Sequence, residues 1–180
     1  MSRLARALSL AACVACARPA GPALSVEQAG PRVAALLDAP DAGPGEFAAL
    51  GPSAAPALRA ELLDPRASEA HRIAAARMLA GLPGPEGLTL LAGSVGAPGL
   101  SPALRDAAAE ELGAHDRDVA VAGLTPLLGS EDAAVRAAAA RGLGRAGGPA
   151  ARKSLEDRLE REEDPGVRER LQASLARTQP

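Results

Sequence analysis

The sequence predicts an all-α fold built as a stack of helix pairs, and three observations carry that expectation. Alanine supplies 45 of the 180 residues, and alanine has the highest helix propensity and lets helices approach closely. Strand formers are scarce, since Tyr and Trp are absent and Ile occurs once, at Ile73. A pattern of about 32 residues recurs along most of the chain. Each copy holds two amphipathic stretches, and neither can bury its stripe alone.

Hydrophobic residues make up 47% of the chain, enough for a real core. Phe47 is the one aromatic residue, so that core has to be built from Leu, Val and Ala. The formal charge is -2, and removing a leader that carries Arg3 and Arg6 leaves 18 basic against 22 acidic residues. A mildly acidic surface argues against a nucleic-acid partner, because phosphate contacts need a basic stripe.

The chain opens Met-Ser-Arg-Leu-Ala-Arg and then runs apolar from Ala7 to Ala17. A basic start and a short apolar run have the layout of a secretory signal, and eleven residues are too few to span a bilayer as a helix. Both cysteines, Cys13 and Cys16, lie in this run. The tract Leu10-Ala11-Ala12-Cys13 resembles the lipobox of bacterial lipoproteins, in which small residues precede the cut and the Cys sulfur is acylated. That resemblance implies lipidation of Cys13, with Cys16 as the alternative. A third option is ordinary cleavage after the small-x-small tract Ala15-Cys16-Ala17. Residues 1–17 are therefore expected to be a signal peptide. Residues 18–28 are expected to be a flexible tether, because Pro19, Gly21 and Pro22 discourage helix. Residues 29–180 are expected to form the helical stack.

Within the stack, Arg72, Arg105, Arg136 and Arg168 stand 33, 31 and 32 residues apart. The residues three, four and seven places after each Arg are Ala75, Ala76 and Leu79, then Ala108, Ala109 and Leu112, then Ala139, Ala140 and Leu143. The last copy departs, with Leu171, Gln172 and Leu175. Such spacing puts one apolar stripe on one helix face. Four residues before each Arg stands an N-cap residue, namely Ser68, Ser101, Asp132 or Asp164. Pro102 and Pro165 follow two of them at the first helical position, where Pro is favoured. Gly81, Gly113 and Gly144 follow the repeat Leu, where they are expected to end the helix in the left-handed C′ conformation.

A second helix follows each stop. Ala54 to Leu63, Leu88 to Val95, Asp118 to Leu128 and Pro149 to Glu160 all show helical spacing of Leu, Val or Ala. The N-terminal copy is irregular: Pro31 to Leu37 reads as helix, Pro40 to Gly45 as a break, and Phe47 to Leu50 as the end of a first helix. The tract Asp132-Ala133-Ala134-Val135-Arg136-Ala137-Ala138-Ala139-Ala140-Arg141-Gly142-Leu143-Gly144 resembles the short bacterial variety of HEAT repeat. The resemblance covers roughly residues 46 to 176. It implies a right-handed α-solenoid of about four to five HEAT-like helix pairs, with the second helices on the inner face.

The residues that could carry chemistry are few. His71 occupies a repeat position that holds Leu104, Val135 and Val167 elsewhere, so it reads as half-buried packing. His115, with Asp116 and Asp118, lacks a second His or Cys to complete a metal set, and Asp118 is read as the cap of the next helix. Glu110-Glu111 and Glu162-Glu163-Asp164 are neighbours that point apart on a helix, and the tract Glu160 to Glu163 reads as a solvated helix end. The repeated Arg is expected to pack its stem between units and pair with an acid, not to form an anion-binding ladder. No phosphate loop, nucleophile elbow or metal-ligand spacing is present.

These readings converge on a non-catalytic scaffold, anchored in the cell envelope or secreted. It needs no cofactor and no nucleic acid, touches the membrane only through an N-terminal lipid, and acts as a monomer on a protein or peptide partner. Arg59, Arg152 and Asp157 are the expected exposed binding positions on the second helices. The alternatives are a structural subunit of an envelope complex or a HEAT-like enzyme related to bilin lyases. The latter chemistry needs aromatic platforms that this chain lacks.

Overall fold

The computed structural model describes residues 24–178. The expected leader, with Cys13 and Cys16, lies outside the described residues. Those residues form ten α-helices and no strand: α1 (Val26–Leu37), α2 (Pro44–Ala48), α3 (Ala54–Leu63), α4 (Glu69–Gly81), α5 (Pro85–Val95), α6 (Pro102–His115), α7 (Arg117–Leu124), α8 (Ala133–Ala146), α9 (Gly148–Leu159) and α10 (Pro165–Arg177). The fold is an all-α solenoid. The first helices α4, α6, α8 and α10 pack side by side in one layer, and the second helices α3, α5, α7 and α9 follow one another in the other. Helix α1 takes the first place of the N-terminal pair, against α3.

The repeat stripe forms the seam between the layers. Ala75, Ala76, Leu79, Ala108, Ala109, Leu112, Ala139, Ala140 and Leu143 are all fully buried. They belong to one continuous core with Leu58, Leu91, Leu124 and Leu155 of the second helices. In the last copy Leu171 is buried and Gln172 is exposed, because α10 has no later first helix beside it among the described residues. Phe47 fills the core of the irregular first unit. The four N-caps form as the sequence predicts. The side chains of Ser68, Ser101, Asp132 and Asp164 accept the backbone N–H of His71, Leu104, Ala134 and Val167, at 2.8–3.2 Å.

Four details differ from the sequence reading. Helix α1 begins at Val26, inside the stretch read as tether to residue 28. Ser25 and Gln28 form a reciprocal capping box, a start signal that lies past Pro19, Gly21 and Pro22, the residues on which the tether reading rested. Gly81, Gly113 and Gly144 lie inside α4, α6 and α8, and none has positive φ. Their role is close approach, because a Cβ on Gly144 would stand 2.8 Å from Ser174 Cβ and one on Gly81 would stand 2.7 Å from Pro44 Cγ. The cap of α7 is Asp116, which accepts Val119 N–H at 3.0 Å, while Asp118 is exposed in the first turn. The helix expected to reach Leu128 stops at Leu124 and continues as a 3-10 turn over Pro126–Gly129, because Pro126 has no N–H to extend the ladder.

The repeated Arg holds the units in register. Each donates to a backbone carbonyl at or just beyond the end of the preceding second helix, and Arg72 donates also to one in the loop after α5. Arg72 donates Nε to Leu62 O (2.8 Å) and Nη2 to Gly99 O (3.2 Å). Arg105 donates Nη1 to Val95 O (2.6 Å) and stands 3.7 Å from Asp132. Arg136 reaches the carbonyls of Ser130 and Glu131, both at 2.9 Å. Arg168 reaches those of Leu159 (3.0 Å) and Glu162 (2.7 Å). Terminal carbonyls lack helix partners and carry the negative end of the helix dipole, so a guanidinium satisfies them in two ways. Acid pairing, expected for every copy, occurs among the described residues at Arg105 and Arg136 only. The Arg105→Met variant keeps the stem and strands a buried carbonyl. It is expected to lose about 1–3 kcal/mol in urea unfolding, whereas Arg66→Met, at an exposed loop position, should change little.

Candidate interaction surface

A site on this fold has to be built from side chains that the stack leaves available. The buried charges are not available. Arg72, Arg105 and Arg136 are engaged with backbone carbonyls, and Glu162 is buried with them. Glu162 accepts Nε and Nη2 of Arg136 at 2.8 and 2.9 Å, Nη2 of Arg158 at 2.7 Å, and the Asp164 N–H at 3.0 Å. The Arg136 guanidinium draws its carboxyl down to about 2, against the opposing effect of burial, with help from Asp164 N–H and Arg158. Arg136 is raised in turn, first by its bond to Glu162. The tract read as a solvated helix end therefore holds the buried acid that ties α8, α9 and α10 together.

The second-helix layer carries a row of polar groups. Arg59 on α3 donates Nε to Ser94 Oγ on α5 at 3.1 Å. Further along, Thr125 and Ser154 hydroxyls meet at 3.2 Å between α7 and α9. Beside them a cleft of about 300 Å³ is lined by Pro126, Leu128, Ser154, Asp157, Arg158 and Arg161. It offers hydroxyls and both signs of charge over an apolar floor, a surface suited to hydrogen bonding with an extended segment.

The three predicted binding residues do not gather at one place. Arg59 is half-buried and bridges α3 to α5. Asp157 is half-buried, lines the cleft just described and pairs with Lys153 at 2.9 Å; that carboxylate raises the lysine. Arg152 is half-buried, donates Nε to Glu156 at 2.8 Å and lines a different cleft, at the start of α9. Thr125 and Ser154 were absent from the sequence reading, since isolated hydroxyl residues on a helix carry no spacing signal.

His71 is half-buried between two acids, with Nδ1 3.5 Å from Asp38 and Nε2 3.3 Å from Glu61. It is a polar link from α4 to α3 and the end of α1, and not only a packing position. His115 Nδ1 faces Glu111 O at 2.9 Å, within its own helix. Among the described residues, no three His, Cys, Asp or Glu side chains stand together so as to hold a metal ion. No described helix is long and apolar enough to cross a membrane.

Cap, buried Arg, Ala-Ala-Leu stripe and paired second helix thus recur in space as in sequence. Residues 97–176 match the family of HEAT repeats. No curated protein matches the chain. The matched segment holds α6 to α9 and nearly all of α10. Helices α3 to α5, before it, repeat the buried stripe and the Arg-to-carbonyl bond of the matched segment, through Arg72 and Leu62. Over residues 97–176 the chain is thus similar to HEAT repeats, a helical-repeat fold that commonly mediates protein–protein interaction.

Proposed function

We propose that this protein is an envelope-anchored or secreted HEAT-repeat scaffold that binds a protein or peptide partner, as a monomer and without turning it over. The cleft between α7 and α9 carries the reading. It sets Ser154, Asp157 and Arg161 around an apolar floor on the layer of second helices, while the charges of the interior are engaged in joining one unit to the next. The basic-then-apolar start and the Leu10-Ala11-Ala12-Cys13 tract support export and anchoring through a lipid on Cys13 or Cys16. Several acyl chains would hold the protein at a membrane that no described helix could span.

Mass spectrometry of the N-terminus of the cell-derived protein tests the anchoring. An acylated Cys13 or Cys16 is the expected result, and an intact Met1 would sink the export argument. Cross-linking in membranes tests the binding. A co-purifying protein is expected with the natural chain and is expected to be lost with Asp157→Arg, which reverses the charge in the cleft. A partner held equally well by that variant would move the binding surface elsewhere. Turnover by the purified protein that is lost on changing Asp118 or His115 would establish an enzyme instead.

A further inference from the structure

We propose that the cleft at the start of α9 is a carboxylate-binding site that takes an acidic segment of the partner; this rests on the scaffold reading and gives it a chemistry. The cleft has a volume of about 490 Å³. Three guanidinium groups line it, from Arg117 at the start of α7, Arg152 on α9 and Arg177 at the end of α10, together with the turn Gly147-Gly148-Pro149. No acidic side chain is among the lining residues, in a chain with 22 acidic against 20 basic residues. Three separate helices thus bring guanidiniums to one cleft, while the acids paired with Arg152 and Arg177, Glu156 and Glu110, lie outside its lining.

Each guanidinium is aimed by one contact and keeps donors to spare. Arg117 donates Nε to Ala146 O at 3.1 Å, and its two terminal nitrogens have no hydrogen-bond partner among the described residues. It lies flat over Gly148, where a Cβ would stand 3.2 Å from its Cδ and Nε. Arg152 is fixed through Nε to Glu156, and Arg177 stands with Nη1 3.6 Å from Glu110. The first-turn N–H groups of α9 add to the same field, since Gly147 brings no side chain to cap them. The guanidinium groups carry the site, and the helix end only reinforces it.

The chemistry favours a carboxylate on a peptide. A guanidinium presents two parallel N–H groups that match the two oxygens of a carboxylate. Nucleic acid would need a basic stripe that follows successive phosphates. Here the basic cluster is one cleft, and the first-helix surface beside it holds acids, with Glu110 and Glu111 in the neighbouring hollow next to Arg177.

Titration of the full chain with a hexaglutamate peptide, followed by amide NMR, tests the site. Saturable shifts of the Gly147 and Gly148 resonances are expected, weakened by added salt, with none from hexaglutamine. Arg152→Gln is expected to weaken binding about tenfold, and Arg117→Gln similarly. Arg77→Gln, on the first-helix face beside Glu111, should leave it unchanged. If Arg117→Gln loses its fold with its bond to Ala146, Arg152→Gln alone decides the outcome, because its Nε contact is to Glu156 in its own helix. Inorganic phosphate should compete with the peptide for these shifts. Phosphate binding without peptide binding would overturn the peptide assignment. So would peptide binding indifferent to both variants, or no saturable shift from either probe. If the peptide fails but a cross-linked partner is still lost with Asp157→Arg, the carboxylate site falls and the scaffold stands. If the peptide binds and no partner is ever captured, the scaffold reading falls and the site remains.

Discussion

Replacing Glu162 with Gln is expected to destabilise the C-terminal end of the stack by on the order of 3 kcal/mol. The side chain is 1% exposed and lies between the guanidiniums of Arg136 and Arg158. Gln keeps the shape but removes the charge, so two cations are left facing a neutral amide in a site with little water. The pH dependence has a defined sign. The carboxyl is lowered from 4.5 to about 2 in the folded chain, so the unfolded chain binds a proton first as pH falls. The ion cluster therefore contributes fully above pH 4.5, a contribution of about 3 kcal/mol, and that contribution is lost as pH falls through about 2. Urea unfolding across this range should show the acid limb in the natural chain and a shallower limb in Glu162→Gln. Because each unit of a repeat stack contacts mainly its neighbours, hydrogen exchange should rise first in α9 and α10. A variant with an unchanged urea midpoint at neutral pH would show that Arg136 and Arg158 are held by their other contacts.

The parts of this protein that were legible in its sequence are the periodic ones. Caps, the Ala-Ala-Leu stripe and the pairing of helices rest on local spacing, and Ser101, Ala108, Ala109 and Leu112 stand where that spacing puts them. The parts that were not legible depend on which helix lies against which. Glu162 sits in a charged tract like many exposed ones, and only the arrival of Arg136 from another unit makes it a buried partner. Its one available signal was that a repeat Arg at a core-facing position needs an acceptor. Gly113 and Gly144 follow the repeat Leu as helix stops do, and nothing in their own neighbourhood tells a stop from a contact. Arg59, Arg152 and Asp157 were placed on the second helices by period alone. The period gives the face of a helix but not the neighbour that a long side chain will reach, so each turned out to be tied to another residue.

Adding a single methyl group at Gly142 or Gly113 is expected to destabilise the protein, although Ala is the better helix former. A Cβ on Gly142 would stand 2.6 Å from Ala109 O and 2.5 Å from Leu124 Cδ1, and a Cβ on Gly113 would fall upon Gly142 O and stand 3.1 Å from Ala146 N. The obstacles are mainly backbone atoms of the facing first helix, which cannot rotate away as a side chain can. Overpacking of this kind costs about 3 kcal/mol at the upper end of its usual range, against roughly 1 kcal/mol gained in helix propensity. Gly142→Ala and Gly113→Ala should each lose about 2 kcal/mol in urea unfolding. Gly93→Ala supplies the control, because Gly93 is an exposed position in α5 with nothing within 4 Å of its added Cβ. It should gain up to about 1 kcal/mol. The double variant Gly113→Ala, Gly142→Ala should lose less than the two losses together, since the first methyl already parts α6 from α8. A gain at Gly142 equal to that at Gly93 would mean that the first helices yield freely. The close seat of α8 on α6 would then be a consequence of the surrounding units and not of the glycines between them.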